Sequence, residues 1–136
     1  MKRFSALLFL RIALGLNMLM HGLVRIPSLE TFATKMAVGF HGTPIPGIAA
    51  KYFLYALPFA ELITGILILS GKWTRTGLVA GVIILCVLMF GTTLKQDWDT
   101  AGTQLIYIVA FAYSLNLYDH EAEKKNTAPA LTDTNE

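Results

Sequence analysis

Charge is scarce in this sequence: 15% of its 136 residues are charged, against roughly a quarter in an average soluble domain. The charges also avoid four long stretches. Residues 5–24 hold one, Arg11; residues 52–71 hold one, Glu61; residues 76–94 and 101–118 hold none. Cysteine is limited to Cys86, which excludes an internal disulfide, a dithiol redox centre and a multi-cysteine zinc site. Of the three histidines, only His21 falls within an apolar stretch, since His41 and His120 lie in a loop and a polar tail. A haem held by two intramembrane histidines is therefore excluded, and no metal site is readable. There is no basic patch for nucleic acid, no nucleophile elbow, no phosphate loop and no internal repeat. The missing inverted repeat also argues against a small-solute transporter.

What remains is apolar. Hydrophobic residues make up 54% of the chain, and each of the four charge-poor stretches has about the 20 residues that crossing a bilayer requires. The helices are apolar nearly all round, whereas a soluble bundle alternates apolar stripes with charged faces. The pattern predicts an all-α, integral membrane four-helix bundle, with lipid as its surroundings. The bundle domain is expected over residues 1–118, with helices at about 4–24, 50–70, 75–95 and 102–118. Residues 119–136 read as a disordered polar tail. Lys2-Arg3 followed by an apolar run resembles the start of a signal peptide. Arg11 interrupts that run and no small-residue cleavage site follows, so a retained first helix is expected.

The connections differ in length. Residues 25–49 carry Pro27, Gly39, Gly42, Pro44, Pro46 and Gly47, so the second half of this segment reads as a loop. Its first half, Ser28 to Met36, reads as a short interfacial helix with a serine cap. Trp73 and Trp98 sit in the two short turns, where an aromatic ring meets the headgroups. With the N-terminus inside, that side holds Lys2, Arg3, Lys72, Arg75, Lys124 and Lys125, and the other holds Arg25, Lys35, Lys51 and Lys95. The balance favours cytoplasmic termini and an outward-facing long loop.

On the first helix Arg11, Asn17, His21 and Arg25 fall within an arc of about 120°. A polar stripe on a lipid-embedded helix should face the bundle interior. Counted along the helices, Arg11 lies about 10 Å from the start of the first and Glu61 about 13 Å from the end of the second, so the two are expected at similar depth and as ion partners. Such a pair either fixes which helices pack together or supports a pocket. In the third helix Gly77 and Gly81 form a small-xxx-small spacing that reads as close packing, within one chain or in a homo-oligomer. In the fourth, Gln104, Tyr107, Phe111, Ser114 and Tyr118 form one stripe at spacings of 3 and 4, suited to a packed core or to a flat aromatic ligand. The candidate polar pocket is thus Arg11, Asn17, His21, Glu61, Gln104 and Tyr107, closed at its outer end by Trp98, Asp97 and the His41 loop. None of these residues can be assigned a catalytic role from the sequence.

The run Arg11-Ile-Ala-Leu-Gly15-Leu-Asn-Met-Leu-Met-His21-Gly22-Leu-Val-Arg25 resembles the arginine, glycine, histidine-glycine and basic-residue signature of the DoxX-like membrane proteins. The segment from Glu61 through Gly65 and Gly71 to Thr74-Arg75-Thr-Gly77 resembles the second half of that signature, and the likeness covers about residues 5–118. The resemblance implies a four-helix inner-membrane bundle. In some relatives such a bundle is the quinone-linked subunit of a thiosulfate:quinone oxidoreductase, and others associate with redox or oxidative-stress proteins. It therefore implies a quinone as ligand and a redox protein as partner, because the chain carries no electron carrier of its own. The other reading is a non-catalytic scaffold whose polar groups hold helices together while its loop docks a partner.

Overall fold

In a computed structural model residues 5–127 are described, and all regular structure among them is helical. Helix α1 covers Ala6–Arg25 and passes through a single 3-10 turn, Ile26–Ser28, into the short α2, Leu29–Val38. Three longer helices follow: α3, Gly47–Ser70; α4, Thr74–Leu94; and α5, Trp98–Thr127. Stretches Ala6–Val38, Gly47–Ser70 and Thr74–Leu94 are long and apolar enough to cross a membrane.

Local signals set the boundaries. Ser5 caps α1 by accepting the Leu8 amide, and Pro46 immediately precedes α3. Gly71 ends α3 in the left-handed region at φ 78°, which a side chain disfavours. Three differences from the sequence reading stand out. Helix α3 begins at Gly47 rather than near residue 50. Ser28 occupies the cap position of α2 without making a side-chain hydrogen bond to it. Finally, α5 continues through residues 119–127, where polar composition reads as tail. That extension is polar but rich in helix formers, and Arg75 of α4 holds Asp119 at 2.9 Å, tying its first turn to the bundle. Residues 1–4 and 128–136, including the rest of the expected tail, lie outside the described residues.

The four long helices run up, down, up and down. The α4/α5 register is marked by contacts of Arg75 with Asp119, Gly81 with Phe111 and Thr92 with Gln104. Gly22 and Gly65 bring the α1 and α3 backbones together: a Cβ on Gly22 would collide with the Pro58 carbonyl and Leu62, and one on Gly65 with Leu19. Gly77 admits Ile68, and Gly81 admits the Phe111 ring, so the small-xxx-small pair of α4 is used inside the chain. The central core is Leu14, Met18, Ile68, Leu78, Leu85 and Phe111, and a second cluster joins Ala33 of α2 to Leu54 and Leu57 of α3. Outward-facing Phe9, Ile63, Ile83, Phe90 and Ile106 remain more than half exposed, as lipid-facing side chains must be.

Candidate functional site

At the end of the bundle covered by α2, Arg25 and Glu61 form the shortest side-chain polar contact among the described residues. Arg25 Nη1 donates to both carboxylate oxygens of Glu61, at 2.8 and 2.6 Å. The Glu61 side chain is 4% exposed and that of Arg25 29%. Helix α1 ends at Arg25, and the following 3-10 turn swings α2 round so that the Phe32 ring lies under the guanidinium, 4.8 Å from its carbon. The arginine is thus fixed from two sides.

Arg25 lines a cavity of about 180 Å³ enclosed by α2, α3, α4 and the start of α5. Its walls are mainly apolar: Phe32, Met36 and Phe40 from the α2 segment, Phe53, Leu54 and Leu57 from α3, and Val87 and Leu88 from α4. Polar groups enter at its edges. The Thr92 hydroxyl lies 2.8 Å from Gln104 Oε1, which orients the Gln104 amide. Lys95 sits with its ammonium 5.2 Å from the centre of the Phe40 ring. Asp97 caps α5 by accepting the Thr100 amide at 3.2 Å; hydrogen bonds from the Thr100 side chain and then its backbone hold the Asp97 carboxyl below the usual carboxylate range.

A second space of about 240 Å³ adjoins the first and shares Phe40, Phe53, Val87 and Gly91 with it. Its other walls are Ile45, Ala49, Ala50 and Phe90, so no charged side chain enters it. Phe53, Val87 and Phe90 are exposed on the outer surface of α3 and α4. A polar-edged chamber therefore continues into an apolar groove that reaches the lipid-facing side.

Of the six sequence candidates, Glu61 and Gln104 belong to this site. The expected Arg11–Glu61 pair does not form; Glu61 binds Arg25 instead. The reason is register. Gly15 packs on Ile68 and Leu69, and Gly22 on Pro58 and Leu62, which places Glu61 level with the last turn of α1 and Arg11 level with Gly71. Counting depth from helix ends had assumed that the helices start together, whereas α1 projects roughly 7 Å past the end of α3. His21 is exposed, its Nδ1 2.8 Å from the Asn17 carbonyl oxygen one turn back, and does not reach the cavity. Asn17 is half-buried beside it, and Tyr107 packs against the central core. Trp98 and His41 are exposed rather than closing the pocket, while Asp97 does line it.

Sequence reasoning missed Phe32, Met36, Phe40, Thr92 and Lys95. One signal was available: Phe32, Met36 and Phe40 recur every fourth residue, a single apolar stripe on a segment read only as interfacial. Arg25 lies on the polar arc of α1, where the sequence marks it only as a helix-end charge.

A protein-family model described as DoxX matches residues 6–94, which is α1 through α4 and more than half of the chain. No curated protein and no solved structure is significantly similar to the chain.

Proposed function

The chain belongs to the DoxX family of membrane proteins, and we propose that it is the quinone-binding subunit of a membrane redox system. The observation that carries this reading is the two-part cavity. Its inner chamber, about 180 Å³, is smaller than the roughly 300–1,000 Å³ of a site that engulfs a whole drug-sized ligand. It suits a single ring, and the adjoining apolar groove suits a hydrocarbon tail leaving toward lipid. Phe32, Phe40 and Phe53 offer ring faces, and Gln104, Lys95 and Arg25 offer donors for carbonyl oxygens.

A bound quinone would supply two-electron, two-proton acceptor chemistry. The chain's own residues hold and orient it. Glu61 fixes the Arg25 guanidinium so that its remaining N–H groups keep a set direction, and Thr92 does the same for the Gln104 amide. With no electron carrier of its own, the chain takes electrons from a partner protein. Cytoplasmic termini in an inner membrane, as the basic residues suggest, put the α2 end on the outer side, where that partner docks. Helix α5 is the fourth span in this arrangement: it pairs along α4, and Gln104, Tyr107, Ser114 and Tyr118 lower its hydropathy on the bundle side.

The test is to purify the full chain in mild detergent and extract it for quinone. About one quinone per chain is expected, lost in Gln104→Ala and Phe40→Ala variants that keep their helicity. Absence of quinone, together with failure to retain an added short-tailed quinone, refutes the reading and favours the scaffold.

A further inference from the structure

We infer that the opposite end of the bundle holds a separate site, centred on Arg11, that takes the phosphodiester of a membrane phospholipid. There α1, the α3–α4 turn and the extended α5 enclose a cavity of about 320 Å³. Arg11, Tyr118, Lys125 and Asn126 bring donors into it, Glu121 is the one acid among the described residues of its lining, and Leu7 forms an apolar wall. Arg11 is the unusual member. Its Nε is buried with no hydrogen-bond partner among the described residues, and no carboxylate lies within ion-pair distance of it there. A buried donor without a partner is costly, and a guanidinium more so than a neutral group. Gly71, held at φ 78°, lies against this guanidinium: a Cβ there would be in ordinary van der Waals contact, 3.5 Å from Arg11 Nη1.

The chemistry of the lining selects the ligand. Among the described lining residues two cations stand against one carboxylate, an excess of positive charge that suits a phosphodiester monoanion. The guanidinium fork suits phosphate oxygens. Position selects the source. Arg11 lies one to two turns inside α1, at the edge of the apolar region, where a phospholipid presents its diester and where Leu7 can meet the first carbons of an acyl chain. Basic pockets between membrane helices bind anionic headgroups in this way.

Native mass spectrometry of the full chain in neutral detergent tests this, with phosphatidylglycerol as the probe and inorganic phosphate as competitor. One phosphatidylglycerol per chain is expected, unaffected by millimolar phosphate. Arg11→Gln and Lys125→Gln should each weaken it, the first by roughly tenfold or more. Lys125 is exposed on α5, so its variant remains informative even if Arg11→Gln fails to fold, and Arg11→Lys should retain part of the binding. Lipid binding that is indifferent to both glutamine variants overturns the proposal. Displacement of the lipid by free phosphate, or phosphate binding alone, overturns the assignment to a lipid.

Discussion

The two ends of α1 solve one problem in opposite ways. At the α2 end Arg25 is fixed by Glu61 and by the Phe32 ring. At the end with the termini Arg11 faces a turn and a cavity, where the C-terminal end of α3 favours its charge, Glu121 lines the same space, and no carboxylate among the described residues is within ion-pair distance. Partly burying a guanidinium is costly at either place, and among the described residues a buried acid pairs with Arg25 alone. A charge with a protein partner fixes geometry. A charge without one is better suited to a ligand that arrives later.

The largest effect should come from breaking the paired end. Glu61→Ala leaves Arg25 against apolar walls and is expected to cost about 3–5 kcal/mol, measured as thermal unfolding in detergent. Arg25→Met combined with Glu61→Leu should recover most of that loss, because the pair's burial is costly in itself. If the single variant melts like the parent, the pair does not hold α1 to α3.

How much of this was legible in the sequence follows the same division. The helices could be read because apolar stretches of fixed length have one solution in lipid, whereas the polar arc of α1 did not say which of its members turn inward: Arg25 lines a cavity and His21 is exposed. The partner of Glu61 could not be read. It depends on how far α1 slides along α3, which is set by backbone contacts at Gly15, Gly22 and Gly65 rather than by helix ends. The α2 wall of the cavity was hidden for a related reason: Phe32 and Phe40 become site residues only once the turn at Ile26–Ser28 folds α2 back over α3 and α4. The helical extension beyond residue 118 was lost because polar composition looks alike in a tail and in a solvated helix.

Smaller effects sharpen the contrast. Gln104→Ala removes one hydrogen bond to Thr92 and should lower stability by about 1 kcal/mol while abolishing quinone retention. Arg11→Gln in neutral detergent should change stability by only about 0.3–1 kcal/mol, since among the described residues no ion pair or side-chain hydrogen bond is lost with it and the α3 C-terminus is its main favourable neighbour. A change as large as that of Glu61→Ala would mean that Arg11 has a protein partner after all. The smallest effect concerns Asp97. Its carboxyl is held below the usual range in the folded chain, so its cap on α5 contributes above the unfolded value of about 4 and is lost as pH falls through the lower, folded value. The protection of the Thr100 amide, measured against its intrinsic exchange rate at each pH, should therefore fall on acidification, and Asp97→Asn should remove that pH dependence.

The most direct test is a pair of double-mutant cycles on unfolding free energy, one joining Arg25 to Glu61 and the other joining Arg11 to Glu61. A coupling on the order of 1–3 kcal/mol is expected in the first, and additivity within about 0.5 kcal/mol in the second. Coupling of Glu61 to Arg11 with none to Arg25 would contradict the arrangement from which both sites are built.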